Sequence, residues 1–311
     1  MSVLFFVFQG VFPVFLLIVI GAVLKRRSVI GSEFSKSASA LSFKLALPAL
    51  GFSKIAVLDF SEVFFLNEII IIAVLTLLTA GLSTLISLKF KDPTQKGAFI
   101  QGSFRGNIVI IAIALVMNLY GEAMAARAAM ILAFMLPLFN ILAVIVLTLP
   151  LHGLSTEGLL RSLKGIITNP IILCVVAGMI FSLFRIPVPP ALGKLLGYLA
   201  DLALPLALIN IGASLTAQGL KDKGKLALIS SLIKILILPV AAVILFYTLG
   251  YRQEELGMVF LICGAPAAVS SHIMAESMGN DGDLAALIVM ISTALAAITA
   301  MVGISIIQSY L

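Results

Sequence analysis

Apolar residues run along this chain in long blocks, each closed by glycine, proline or a cluster of charges. A block of about 20 such residues is what an α-helix needs to cross a hydrocarbon core of roughly 30 Å. Blocks of that kind stand at 3–24, 37–58, 67–88, 97–119, 123–149, 166–184, 196–216, 226–249, 256–278 and 284–308. The connections between them are too short for a soluble domain. The pattern therefore predicts an all-α integral membrane protein of ten transmembrane helices, forming one domain over 1–311. The first block, Val3 to Leu24, is too long for a signal-peptide core. It has no basic residue before it and no small-residue cleavage pattern after it, and it reads as a retained helix.

Composition agrees. The 311 residues are 61% hydrophobic and 11% charged, with a mean hydropathy of +1.21, whereas a soluble domain is about 25% charged. The net charge of +6 would suggest nucleic acid in a soluble protein, but here the basic residues gather in loops and no nucleic-acid partner is expected. Alternate connections differ sharply. One set holds Lys25, Arg26, Arg27, Lys36, Lys89, Lys91, Lys96, Arg161, Lys164, Lys221, Lys223 and Lys225. The other holds Arg185, Lys194 and Arg252 beside the acidic Asp59, Glu62, Glu254 and Glu255. Lysine and arginine stay on the cytoplasmic side, so the first set faces the cytoplasm and both termini face outward across the cell membrane. Cys174 and Cys263 lie inside apolar blocks and read as small core residues, with no disulfide between them.

The two halves share a pattern. Pro13 and Gly21 match Pro170 and Gly178, each 157 residues later, and Leu45-Ala46-Leu47-Pro48 recurs as Leu202-Ala203-Leu204-Pro205 at the same offset. Farther on the offset drifts to 160, pairing Gly97 with Gly257 and Met130 with Met290. Two copies, about 1–150 and 160–311, of five helices each must enter the membrane in opposite senses. Such five-plus-five inverted repeats mark secondary transporters, whose binding site lies at the repeat interface near the midplane.

Block four carries Gly102-Ser103-Phe104-Arg105-Gly106-Asn107, and block nine carries Cys263-Gly264-Ala265-Pro266-Ala267. Pro266 removes a helix N–H and its ring clashes one turn back, while the glycines weaken both helices. Both blocks are therefore expected to break near their middle, where irregular backbone is tolerated only if it lines a cavity or is buried in protein. Two antiparallel broken helices bring two half-helix N-termini together, each with free N–H groups and partial positive charge. Arg105 adds a permanent charge whose donor fork fits a carboxylate. Asn107, Ser270 and Ser271 can add neutral donors around Gly106, Ala265 and Pro266. The alternative is that the glycines serve close packing and that Arg105 snorkels to the cytoplasmic edge.

Other polar groups leave two readings open. His272 and Glu276, four apart on one face, can relay a proton or form a pair near the cytoplasmic end of their helix. Asn140 and Asn210 can line the cavity or bridge helices. Lys44 and Asp201, equivalent at the 157 offset, can snorkel. Lys54, Arg127 and Lys234 read as near-interface or paired charges, and Pro48 and Pro205 as residues that shape their helices. The motifs of hydrolytic metal centres, phosphate loops and redox dithiols are absent from the sequence, so neither an enzyme nor a cofactor is expected.

The ten-block plan, Arg105-Gly106-Asn107, Leu206-Ala207-Leu208-Ile209-Asn210-Ile211-Gly212-Ala213-Ser214-Leu215 and Ala265-Pro266-Ala267 together resemble the auxin efflux carrier family. That family includes the plant auxin exporters and bacterial permeases associated with malonate or malate. The resemblance implies a scaffold of helices 3–24, 37–58, 166–184 and 196–216. It also implies a moving transport part of 67–149 and 226–308 around crossed, broken helices four and nine. A homodimer through helices two and seven and a carboxylate substrate at the crossing are implied as well, with Asn107 and Pro266 at the matching positions. The central connection, about 150–165, is short, unlike the long cytoplasmic loop of the plant exporters, and points to a bacterial permease. The competing reading is a sodium-coupled organic-anion symporter of the bile-acid type, for which block nine offers Glu276 as its acidic residue. A channel would need a continuous polar stripe, and none of the blocks has one.

Overall fold

The computed structural model describes residues 3–58, 65–153 and 155–310. Asp59 and Glu62, counted above among the outward charges, lie outside them. In order, the described helices are α1 (Val3–Arg26), α2 (Ser32–Leu41), α3 (Leu47–Ile55), α4 (Leu66–Ser87), α5 (Pro93–Phe104), α6 (Ile113–His152), α7 (Thr156–Thr168), α8 (Pro170–Leu183), α9 (Pro190–Ser214), α10 (Ala217–Leu232), α11 (Leu238–Thr248), α12 (Gln253–Gly264), α13 (Val269–Ser277) and α14 (Gly282–Tyr310). Wide π-turns at Ser42–Ala46, Ile108–Ala112 and Ile233–Ile237 lead into α3, α6 and α11.

Among the described residues five helical runs are long and apolar enough to cross a bilayer unaided: α4, α6, α9, Gln218–Thr248 through α10 and α11, and α14. The pair α7 and α8, bent by 49°, makes a sixth. Several of the ten blocks are interrupted, and the causes are local. Block 37–58 is divided by the π-turn that precedes Pro48, whose missing N–H frees a carbonyl one turn back. Pro239 stands in the same relation to the π-turn at Ile233–Ile237. Blocks four and nine are cut by true breaks. The run α6 is two helical stretches that meet at a kink within Ile113–His152. It is interrupted at Gly121, whose φ of 82° and ψ of −173° suit glycine alone.

Two sets of contacts organise the helices. In one, α1 lies along α9, and α3 packs on α8 and α9. In the other, α5 packs on α4 and α6, α10 on α14, and α11 on α12. At the α1–α9 contact a side chain on Gly21 would run into the Ile209 carbonyl, and one on Gly212 into the Ile18 carbonyl. At the α3–α8 contact a Cβ on Gly178 would lie 3.0 Å from the Phe52 carbonyl oxygen. The contacts Gly21–Ile209 and Gly178–Phe52 are related residue by residue, since 178 − 21 and 209 − 52 are both 157. Leu78, Leu85, Leu183, Ile244 and Ile298 are exposed on the outside, a surface suited to lipid and prone to association in water.

Candidate functional site

The cut in block four begins with an ordinary helix. Asp92 caps α5 by accepting from the Thr94 N–H at 2.9 Å, and Pro93 opens it without wasting a donor. The helix ends at Phe104 because Arg105 turns extended, with φ −79° and ψ 105°. In block nine, Ala265 (ψ 135°) and Ala268 (ψ 135°) are extended on either side of Pro266 and Ala267. The two breaks cross. The Asn107 N–H donates to the Pro266 carbonyl at 2.8 Å and the Ala268 N–H to the Arg105 carbonyl at 2.9 Å, forming an antiparallel bridge between Gly106 and Ala267. The Ala267 N–H donates to Ser292 Oγ at 3.0 Å. Groups released by breaking two helices thus satisfy one another, as an apolar interior requires.

A cavity opens beside this crossing. Arg105, Gly106, Asn107 and Ile108 form one wall, with Ala268, Val269 and Ser270 at the start of α13 beside them. Lys54 on α3 and Asn140 on α6 contribute polar atoms, while Leu47, Leu50, Leu132, Leu136 and Phe139 supply apolar surface. The wall contains two cations and no carboxylate.

Arg105 is 3% exposed, so it does not snorkel. Its Nη2 donates to Asn140 Oδ1 at 2.8 Å, and its Nη1 lies 2.6 Å from Met274 Sδ. With the Gln101 amide oriented by its hydrogen bonds, the Gln101 oxygen also accepts from Nη1 at 3.2 Å. Asn140 is itself fixed, donating to the Leu136 carbonyl at 2.8 Å. All these partners are neutral, and no carboxylate reaches Arg105 among the described residues. A guanidinium held in this way keeps its full charge in a site where charge is costly to bury.

Lys234 corrects the reading of near-interface or paired charges. Lys54 stands in the cavity wall. Lys234 is 1% exposed and lies behind the crossing, where its Nζ donates to the Cys263 carbonyl at the end of α12. A Cβ on Gly106 would stand 3.1 Å from both Cε and Nζ of Lys234, so glycine there makes room for the lysine. Arg127 is paired as expected, with Glu68 and, at 3.1 Å, with Glu255. Lys44 and Asp201 are exposed.

The remaining predicted residues divide. Ala265 and Pro266 are buried in the crossing and do not line the cavity. Ser270 lines it, while Ser271 is 1% exposed and does not, its Oγ without a partner among the described residues. Asn210 is drawn into a second cluster with His272 and Glu276. Its Nδ2 lies 2.8 Å from Ser39 Oγ, 3.2 Å from His272 Nε2 and 3.1 Å from Glu276 Oε2. Ser39 Oγ donates to Glu276 Oε2. Ser39 was not singled out from the sequence, because a lone serine near the end of a short helix carries no signal of a partner 237 residues away.

The match to known proteins follows the whole fold. The family model described as "Membrane transport protein" matches residues 6–304. The chain belongs to this membrane transport protein family. It is the auxin efflux carrier family of the resemblance above. A relative within reach is an uncharacterized transporter of Methanothermobacter thermautotrophicus, 25% identical over 302 residues that cover 94% of this chain and 95% of the relative. Membership in the membrane transport protein family makes the chain a multi-pass membrane transporter.

Proposed function

We propose that the protein is a secondary transporter that carries a small organic anion, a carboxylate, across the cytoplasmic membrane by alternating access, as a malate-, malonate- or auxin-type permease would. The observation that carries this reading is the cavity wall, with Arg105 and Lys54 and no acidic residue. Helical segments also begin at the cavity, at Ile108 and at Val269, with the polarity that favours an anion. The fork of Arg105 matches the two oxygens of a carboxylate. The leucines and Phe139 suit a carbon skeleton better than an inorganic ion.

Alternating access needs two parts that move. The reading assigns α1, α2, α3, α8 and α9 to a scaffold and the helices of 67–149 and 226–308 to a moving part, with the cavity between them. The proposed inverted repeat draws support from the Gly21–Ile209 and Gly178–Phe52 contacts at one offset. The breaks add to it, since Arg105 and Ala265 are 160 apart, the offset of the later sequence matches. A homodimer through helices two and seven and outward termini complete the proposal.

The test is a thermal-shift screen of purified protein against mono- and dicarboxylates, with and without sodium and across pH. A carboxylate that raises the melting temperature in wild type and fails to do so in Arg105→Ala supports the reading. Stabilisation by neutral or cationic solutes alone would refute it.

A further inference from the structure

A second polar centre stands apart from the anion cavity and joins helices of both proposed parts. Ser39 comes from α2 and Asn210 from α9, while His272 and Glu276 come from α13 and Gly282 opens α14. Ser39, Asn210 and His272 are each 2% exposed or less, and the Glu276 side chain is 25% exposed. The centre is therefore sealed except along the carboxylate.

Its hydrogen bonds fix the histidine. His272 Nδ1 is 3.0 Å from the Gly282 carbonyl oxygen. A carbonyl only accepts, so Nδ1 carries the ring proton and Nε2 of the neutral ring holds a lone pair. That lone pair faces the Asn210 amide at 3.2 Å and Glu276 Oε2 at 3.7 Å. The cluster is short of hydrogens. Nε2, Glu276 Oε2, Ser39 Oγ and Asn210 Oδ1 all accept, whereas the hydrogens on hand are two from Asn210 Nδ2 and one from Ser39. Among the described residues, Asn210 Oδ1 is buried with no donor.

Other charges around the pair are few. Asp283, from the first turn of α14, is the further charge that acts on His272, and it is held by Lys223 at 3.4 Å. On the other elements packed against α13, Glu33 and Lys36 of α2 pair with each other at 3.8 Å. Among the described residues, the bonds of the pair go to Ser39, Asn210 and Gly282, and none to Lys194 and Asp201 of α9, Lys96 of α5 or Lys44 of the neighbouring π-turn.

We propose that His272 Nε2 and Glu276 Oε2 form a proton-binding site whose occupancy sets how firmly α13 is tied to α2 and α9, making the proton the coupling ion of this carrier. The proton enters along the partly exposed carboxylate. With Glu276 ionised, its Oε2 accepts from Ser39 and Asn210 and holds α13 against the scaffold. With the proton bound, the negative charge that strengthens those two bonds is neutralised, and the tie loosens. The coupling rests on the carrier reading above, whereas the proton site does not.

The protein has two histidines, and His152 is an exposed residue beside Arg161. In a His152→Gln background, ¹⁵N-histidine NMR therefore reports His272 alone. The expected result is an Nδ1–H tautomer at high pH that gains a proton at Nε2 as pH falls. In Glu276→Gln the midpoint moves by about one pH unit or more. If that variant does not fold, Ser39→Ala should move the same midpoint by less. An Nε2–H tautomer, a ring that does not titrate in folded protein, or a midpoint indifferent to both substitutions overturns the site. So does a shift caused at fixed pH by replacing choline with sodium, which would assign the centre to a metal cation. The coupling is read in proteoliposomes loaded with a pH dye and given a malonate gradient. Wild type should change internal pH as malonate enters, and Glu276→Gln should move malonate with that change lost. An equal pH change in Glu276→Gln contradicts coupling. If wild type moves no carboxylate, the carrier reading fails, and the NMR titration decides the proton site alone.

Discussion

Arg105 owes its position to Asn140, and that dependence can be tested without touching the arginine. Asn140→Ala removes the acceptor at Nη2 and should weaken carboxylate binding through misplacement of the fork. Asn140→Asp should do more. It would give Arg105 a permanent internal carboxylate, so that ligand binding is lost while the melting temperature holds or rises. Wild-type affinity in Asn140→Asp, measured by equilibrium binding, would show that Arg105 is not the anion's partner. Lys54 is the weaker cation because it is exposed to the cavity. Lys54→Gln should cost about 1 kcal/mol, roughly fivefold in affinity. Arg105 was legible in the sequence because an arginine flanked by glycines within an apolar block has few structural roles. The position of Lys54 was not legible. The wall it joins is completed by α6, α8 and α13, and no local pattern records that meeting. His272 and Glu276 were visible as an i, i+4 pair, but their partners Ser39 and Asn210 arrive from other helices.

At the scale of elements, the breaks were partly legible. Pro266 announces one of them. The break at Arg105 contains no proline and rests on Gly102, Gly106 and the exchange of backbone hydrogen bonds with the other strand of the crossing. The π-turns were not legible: two of them precede Pro48 and Pro239, and the one at Ile108–Ala112 follows the crossing with no proline beside it. Close approach of α1 and α9 depends on Gly21 and Gly212. Gly21→Ala should destabilise the protein by about 1–3 kcal/mol through overpacking, seen as a lower melting temperature. Gly197, on α9 with open space around its Cβ position, is the control. Gly197→Ala should be neutral or stabilise by up to about 1 kcal/mol. Equal effects at both positions would mean that the α1–α9 contact is looser than described.

At the scale of the whole molecule, the basic residues of alternate connections predict the orientation. A reporter inserted near Lys223 should read as cytoplasmic and one fused after Leu311, which lies outside the described residues, as external. Reports from the same side would refute the ten-span plan. The proposed dimer should run in detergent at about twice 32.9 kDa, and a monodisperse monomer that still binds carboxylate would count against it. The central claim is that the cavity at the crossing holds an anion, and its most direct measurement is the affinity of the carboxylate found in the thermal screen for four proteins. These are wild type, Asn107→Ala, Arg105→Ala and Arg105→Lys, all with unchanged melting temperatures in the absence of ligand. Loss of one hydrogen bond to a charged ligand costs about 1.5–3 kcal/mol, or roughly 10- to 150-fold. Asn107→Ala should fall in that range, Arg105→Ala should lose at least as much, and Arg105→Lys should recover only part, because an ammonium lacks the planar fork. Wild-type affinity in both Asn107→Ala and Arg105→Ala would contradict the account.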